Sequence, residues 1–179
     1  MVPVDGSSRD FAGWRTHVLV GEVNDGNAFH AFDGAAGHAG LFTTAGDLLT
    51  FARGMLASCQ GDGPVRPDTA QQFVAAGADP AQALGFRIWR DDRAGDDVSR
   101  DDGSGGGVAI GHTGFPGVAF AMLPDRGVAA VMVTNRLHAP GPPRATEPMW
   151  ELARTAVRNH LDQHGILVPR LRRSTCATP

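Results

Sequence analysis

Among the seven histidines, two cysteines and 19 acidic residues of this 179-residue chain, only a few stand at spacings that chemistry can use. His112 lies in Gly111-His112-Thr113-Gly114, at the end of the apolar run Val108-Ala109-Ile110. By itself, a histidine there reads as a satisfied, partly exposed strand side chain. His160 and His164 are four residues apart on a helical pattern, a spacing that can hold zinc, but no third ligand accompanies them. A histidine near a helix C-terminus is also favoured by the helix dipole. His30 and His38, with Asp33 between them, fit no helix pair. Ser104 lies eight residues before His112, yet its Asp-Gly-Ser-Gly-Gly-Gly setting does not meet the Gly-x-Ser-x-Gly pattern of a nucleophile elbow. Cys59 sits on a predicted helix with no recognisable partner. The acidic residues Asp96, Asp97, Asp101 and Asp102 lack the spacing of a calcium loop. Neither a metal nor a cofactor is expected.

Composition removes further classes. All 16 basic residues are arginine; the chain has no lysine and no tyrosine. Its own residues therefore cannot supply a lysine amine or a tyrosine hydroxyl to any mechanism. A net charge of -3 gives no electrostatic case for nucleic acid or an anionic membrane. No apolar run approaches the ~20 residues of a membrane span. Cys59 and Cys176 make no CxxC pair and no disulfide framework. The N-terminal MVPVDGSSRD has neither a charged n-region nor an apolar h-region, so no signal peptide is expected and a cytoplasmic location is the default.

The elements that must position His112 follow from periodicity. Residues 1–30 read as irregular, with one short apolar run at 16–20. Thr44 is a good N-cap, and Asp47 three residues on makes an acidic capping box. Leu48, Phe51, Ala52, Met55 and Leu56 then form an amphipathic stripe that stops near Gly61. A second helix is expected from about Pro67 to Ala76, capped by Asp68, with Phe73 and Val74 packing. Leu84 to Trp89 reads as a short strand, and residues 91–107 as a mobile acidic, glycine-rich loop. Three strands follow at 108–113, 118–123 and 128–134. Pro124 to Gly127 forms a tight hairpin in which Gly127 supplies a positive φ. A final helix from Thr146 to about His164 is expected to bury Met149, Leu152, Ala153, Ala156, Val157 and Leu161. Gly165 ends that helix, residues 1–165 form one domain portion, and residues 166–179 a basic tail. The fold class is α+β, an antiparallel meander covered by a C-terminal helix, with a sheet edge and a sheet face left uncovered.

Four blocks now fall into register. Gly21-Glu22-Val23-Asn24-Asp25-Gly26-Asn27-Ala28 is followed by Ala36-Gly37-His38-Ala39-Gly40-Leu41-Phe42-Thr43-Thr44-Ala45-Gly46-Asp47-Leu48. Gly111-His112-Thr113-Gly114-Phe115-Pro116-Gly117 and Val133-Thr134-Asn135-Arg136-Leu137-His138 continue the order. Across roughly residues 14–160 the chain resembles the serine β-lactamase-like family, of the class C β-lactamase, penicillin-binding protein and esterase type. The resemblance implies a partial β-lactamase/transpeptidase-like fold and acyl-transfer chemistry. In that family a Ser-x-x-Lys serine attacks a carbonyl, a Lys and a Tyr manage protons, and a Lys- or His-Thr-Gly strand borders the site. His112 then takes the first, catalytic position of that triplet, and Thr113, Gly114 and Phe115 are substrate-binding. The Phe115 backbone N–H stands where the oxyanion hole is served. Asn24 stands where relatives in this group often carry His.

The resemblance also implies a chain that starts after Ser-x-x-Lys and Tyr-x-Asn, so that the N-terminal catalytic half is missing. Loss of the nucleophile alone costs on the order of 10⁶ in kcat. The expected function is therefore that of a truncated serine hydrolase, inactive alone, whose intact relatives act on a small ester, amide or β-lactam. The alternative is a non-catalytic binding or assembly module completing a split hydrolase with a partner chain that carries the nucleophile.

Overall fold

The computed structural model describes residue 13 and residues 15–89, 108–138 and 145–163. Of the sequence expectations, the acidic loop with Ser104, His164, Gly165, Cys176 and the basic tail lie outside the described residues. The chain divides into two compact units: residues 1–43 with 139–143, and residues 44–138 with 144–179.

The first unit holds a short helix, α1 (Gly26–Ala31), within a stretch that reads as irregular in sequence. Asp25 caps it, its carboxylate accepting from Ala28 N–H at 2.8 Å. Arg15 organises the approach to α1. Its guanidinium donates to Val23 O (2.7 Å) and Asn24 O (3.1 Å) and lies 4.0 Å over the Phe29 ring. The apolar run at 16–20 forms no strand, and Val18 and Val20 are exposed.

The second unit begins with α2 (Ala45–Gln60). Thr44 Oγ1 accepts from Asp47 N–H and donates to the Asp47 carboxylate, so Thr44 caps α2 as the sequence implies, with Asp47 returning to its hydroxyl. Gly61, at φ 97°, closes the helix. Ser58 is fully buried at the far end of α2. Its hydroxyl donates to Gly54 O (2.7 Å) and accepts from Val65 N–H (3.1 Å), tying the following turn to the helix. A Cβ at Gly63 would collide with Ser58, so this turn requires glycine. Next is α3 (Pro67–Val74), with Pro67 in its first turn. Its N-cap is Arg66 rather than Asp68, whose carboxylate instead accepts from Thr69 N–H.

Four strands form one antiparallel sheet in sequence order: β1 (Arg87–Trp89), β2 (Ala109–Gly114), β3 (Val118–Leu123) and β4 (Val128–Val133). β1 is shorter than the apolar run 84–89, because Ala83 N–H bonds Phe86 O and closes a tight turn. A 3-10 turn at Pro124–Arg126 joins β3 to β4, ending at Gly127 with φ 60°. The last helix, α4, covers Glu147–Gln163.

Alternation along the strands splits the core in two. On one face Ile110, Met122 and Phe86 pack with Ala52, Met55 and Leu56 of α2 and with α3. On the other, Ala109, Ala119 and Ala121 pack with Trp150 of α4. The expected uncovered face is thus filled, because α2 folds back over the sheet as well as α4. Within the described residues, no strand lies beyond β1 or β4.

Two packing expectations are corrected. Trp150, Ala153, Val157 and Leu161 face inward on α4, whereas Leu152 is 73% exposed and Met149 also faces outward. Trp150 decides this rotation: its ring, 6.1 Å from that of Trp89, offers the largest area to bury. Phe51 and Phe73 are exposed rather than buried. Phe51 nonetheless meets Phe86 and Phe120 at ring distances of 6.5 and 6.1 Å.

Candidate active-site wall

His112 sits near the end of β2, paired in register with Phe120 of β3. Opposed residues of an antiparallel pair share a face, which places His112 on the α2 side of the sheet with Phe120. Thr113, paired with Ala119, belongs to the α4 side. His112 is exposed. Its Nδ1 lies 2.7 Å from Thr113 O. A carbonyl oxygen only accepts, so Nδ1 carries a proton, and in the neutral ring Nε2 is the lone-pair nitrogen. A Cβ at Gly111 would collide with Phe120 O and crowd Ala121 Cα, so the residue before His112 must be glycine.

Beyond β2 the chain makes a tight turn, Gly117 N–H bonding Gly114 O at 3.0 Å. The segment after β4 grips this turn. Thr134 donates to Gly117 O through both N–H (2.9 Å) and Oγ1 (2.7 Å), and Arg136 N–H donates to Pro116 O (3.2 Å). Arg136 Nε donates to Phe115 O at 2.5 Å, and its guanidinium lies 4.5 Å over the Phe115 ring. The third and fourth sequence blocks thus meet in space, and Arg136, given no role by its spacing, is central to the meeting. Phe115 N–H donates to no acceptor among the described residues. The turn therefore offers one unengaged N–H beyond a strand that carries the exposed His112 near its end.

The first block carries the cap and start of α1, and the second carries His38 and the cap and first turn of α2. His38 Nε2 donates to Asp25 Oδ1 at 3.2 Å, and His17 Nε2 to Glu22 Oε1 at 2.9 Å. Hydrogen bonding from His17 holds the Glu22 carboxyl below its ordinary value, against partial desolvation. The Ala28 N–H, with His38 as a lesser contribution, does the same for Asp25. His38 is thus engaged with a helix-capping carboxylate, and its partner is Asp25 rather than His30 or Asp33. Among the described residues, no group of three or more His, Cys, Asp or Glu side chains is placed to hold a metal. No helix among them is long and apolar enough to cross a membrane. Cys59 is buried on α2.

Comparison with known proteins adds a family. The family model described as Beta-lactamase matches residues 2–154. An N-acetylmuramyl-L-alanine amidase of Bacillus subtilis (strain 168) is 34% identical over 142 residues, covering 75% of this chain and 32% of the relative. A protein of Escherichia coli (strain K12), provisionally named a D-alanyl-D-alanine carboxypeptidase, is 30% identical over 157 residues, covering 83% of this chain and 35% of the relative. A protein of the same provisional name from Salmonella paratyphi B is 31% identical over 143 residues, 75% of this chain and 32% of the relative. The chain spans about a third of the length of these curated relatives. No solved structure matches it.

Proposed function

The chain belongs to the β-lactamase family, and on that premise we propose that it forms the carbonyl-facing wall of an acyl-transferring serine hydrolase site. The carrying observation is the unengaged Phe115 N–H, in a turn whose neighbouring carbonyls are tied to residues 134–136, beside the exposed His112. In this reading Phe115 N–H binds the substrate carbonyl and stabilises the oxyanion as charge develops. His112 Nε2 is an acceptor or proton carrier at the same edge, while Thr113 and Gly114 line the strand through their backbone.

The nucleophile comes from outside these 179 residues, since a sequence with no lysine and no tyrosine contains neither Ser-x-x-Lys nor Tyr-x-Asn. The 179-residue chain alone therefore forms no acyl-enzyme. Substrates are carbonyl compounds with an amide, ester or β-lactam bond. The relatives' names, an N-acetylmuramyl-L-alanine amidase and D-alanyl-D-alanine carboxypeptidases, favour amide substrates.

A second reading, a non-catalytic assembly module, draws on the outer edge of β4, which pairs with no strand among the described residues. Mixing the chain with a polypeptide carrying Ser-x-x-Lys and Tyr-x-Asn separates the two. The acyl-transfer reading expects nitrophenyl-ester hydrolysis in the mixture alone, with His112→Ala abolishing most of it. A stable complex that is inert would support the assembly module and overturn the catalytic reading.

A further inference from the structure

We infer that Arg136 is the positioning residue for the Phe115 N–H, so that the fourth sequence block serves the third. This rests on the acyl-transfer reading above and names the group that prepares its carbonyl-binding donor.

The backbone groups of residues 114–117 are nearly all engaged. Gly114 O accepts from Gly117 N–H, Pro116 O from Arg136 N–H, and Gly117 O from both Thr134 N–H and Thr134 Oγ1. Phe115 O accepts from Arg136 Nε. All four carbonyls are therefore satisfied. On the donor side Pro116 has no N–H and that of Gly117 is engaged, which leaves Phe115 N–H as the open donor of residues 115–117.

Its direction is fixed as well. In a trans peptide the N–H points opposite to the carbonyl of the same unit. Gly114 O is held inside the turn by Gly117 N–H, so Phe115 N–H points out of it. The next peptide unit is held only through Phe115 O, and its partner is the Arg136 side chain. Both peptide planes flanking Phe115 Cα are thereby pinned, one by the turn itself and one by Arg136. The guanidinium over the Phe115 ring holds the side chain too. A cation in that place also favours negative charge developing on an oxygen at the Phe115 N–H. Lysine cannot reproduce the arrangement: a guanidinium donates through Nε while stacking flat on an aromatic ring, and an ammonium does not.

The test uses the full chain, labelled with ¹⁵N, with methylphosphonate as a tetrahedral oxyanion mimic. In the wild type, the Phe115 amide resonance should move saturably with phosphonate. Arg136→Ala should weaken that binding by about tenfold, the scale of one lost charge-assisted hydrogen bond, and lower the order parameter of the Phe115 N–H. Arg136→Lys, which retains charge, should fall between the two. In both variants, unchanged amide shifts across β3 and β4 report an intact sheet; if the alanine variant does not fold, the lysine variant carries the test. Phosphonate binding within twofold of wild type, with an unchanged Phe115 N–H order parameter, would overturn the role of Arg136 while leaving the carbonyl-binding wall standing. A wild-type Phe115 amide that ignores phosphonate would overturn the acyl-transfer reading, and this inference with it.

Discussion

Gly117→Ala tests the latch between the two loops most severely. Gly117 has φ 106°, a region L residues rarely adopt, and an added Cβ would collide with Thr134 Oγ1 and press on Thr134 O and Arg136 N. Holding alanine at such a φ costs about 1–3 kcal/mol. Displacing the threonine hydroxyl forfeits its bond to Gly117 O, about 0.5–1.5 kcal/mol. The sum is about 1.5–4.5 kcal/mol, a large part of the roughly 5–15 kcal/mol that holds a domain folded. With a urea m-value of about 2 kcal/mol/M and the middle of that range, about 3 kcal/mol, the midpoint should fall by about 1.5 M. Tryptophan fluorescence reports the transition, because Trp89 and Trp150 meet at a tilted angle within the same unit. Part of the cost is collision, so Thr134→Ala should relieve it. The double variant should then lose less than the two single variants added together. A Gly117→Ala midpoint equal to wild type, or strict additivity with Thr134→Ala, would refute the geometry of the latch.

Trp150→Ala should cost about 3–5 kcal/mol by the same denaturation assay, whereas Leu152→Ala, on the exposed side of α4, should stay within about 0.5 kcal/mol. Equal costs would contradict the observed helix rotation. Thr44→Ala removes the capping hydroxyl of α2 and should cost about 0.5–2 kcal/mol, with serine restoring most of it. In the first unit, the lowered carboxyl values of Glu22 and Asp25 make stability rise with pH, since the unfolded chain binds more protons. Their contribution is complete above the ordinary values of 4.5 and 3.8, and is lost as pH falls through the lower folded values. Amide protection of Ala28 should therefore decline on acidification, and Asp25→Asn, which caps without titrating, should flatten the decline. Protection independent of acid would contradict the assignment.

Local signals were the most legible part of the fold. The Thr44–Asp47 cap, the Gly61 stop and the Gly127 turn depend on residues within a few positions of one another, and all three form. β2, β3 and β4 fall within a residue or two of their apolar runs, because strands covered on both faces need continuous apolar sequence. What required the tertiary structure was helix rotation, since Met149 and Leu152 fit the α4 periodicity as well as Trp150 does. The return of α2 onto the sheet, which covers the face expected to be bare, is likewise a long-range event. α1 escaped detection because six residues carry too little period, and its cap Asp25 and organiser Arg15 look like ordinary surface charges. At the site, the His112 block could be read from residue order. The bond from Arg136 Nε to Phe115 O joins residues 21 apart and leaves no periodic trace.

In the function proposed above, this chain presents a carbonyl-binding wall whose nucleophile lies outside its 179 residues. The most direct test is treatment with a fluorophosphonate probe, followed by mass mapping of any adduct, on the chain alone and after mixing with a polypeptide carrying Ser-x-x-Lys. The predicted result is no label on the isolated chain, and in the mixture a label confined to the serine of the added polypeptide. Stoichiometric labelling of one defined residue of the isolated chain would contradict it.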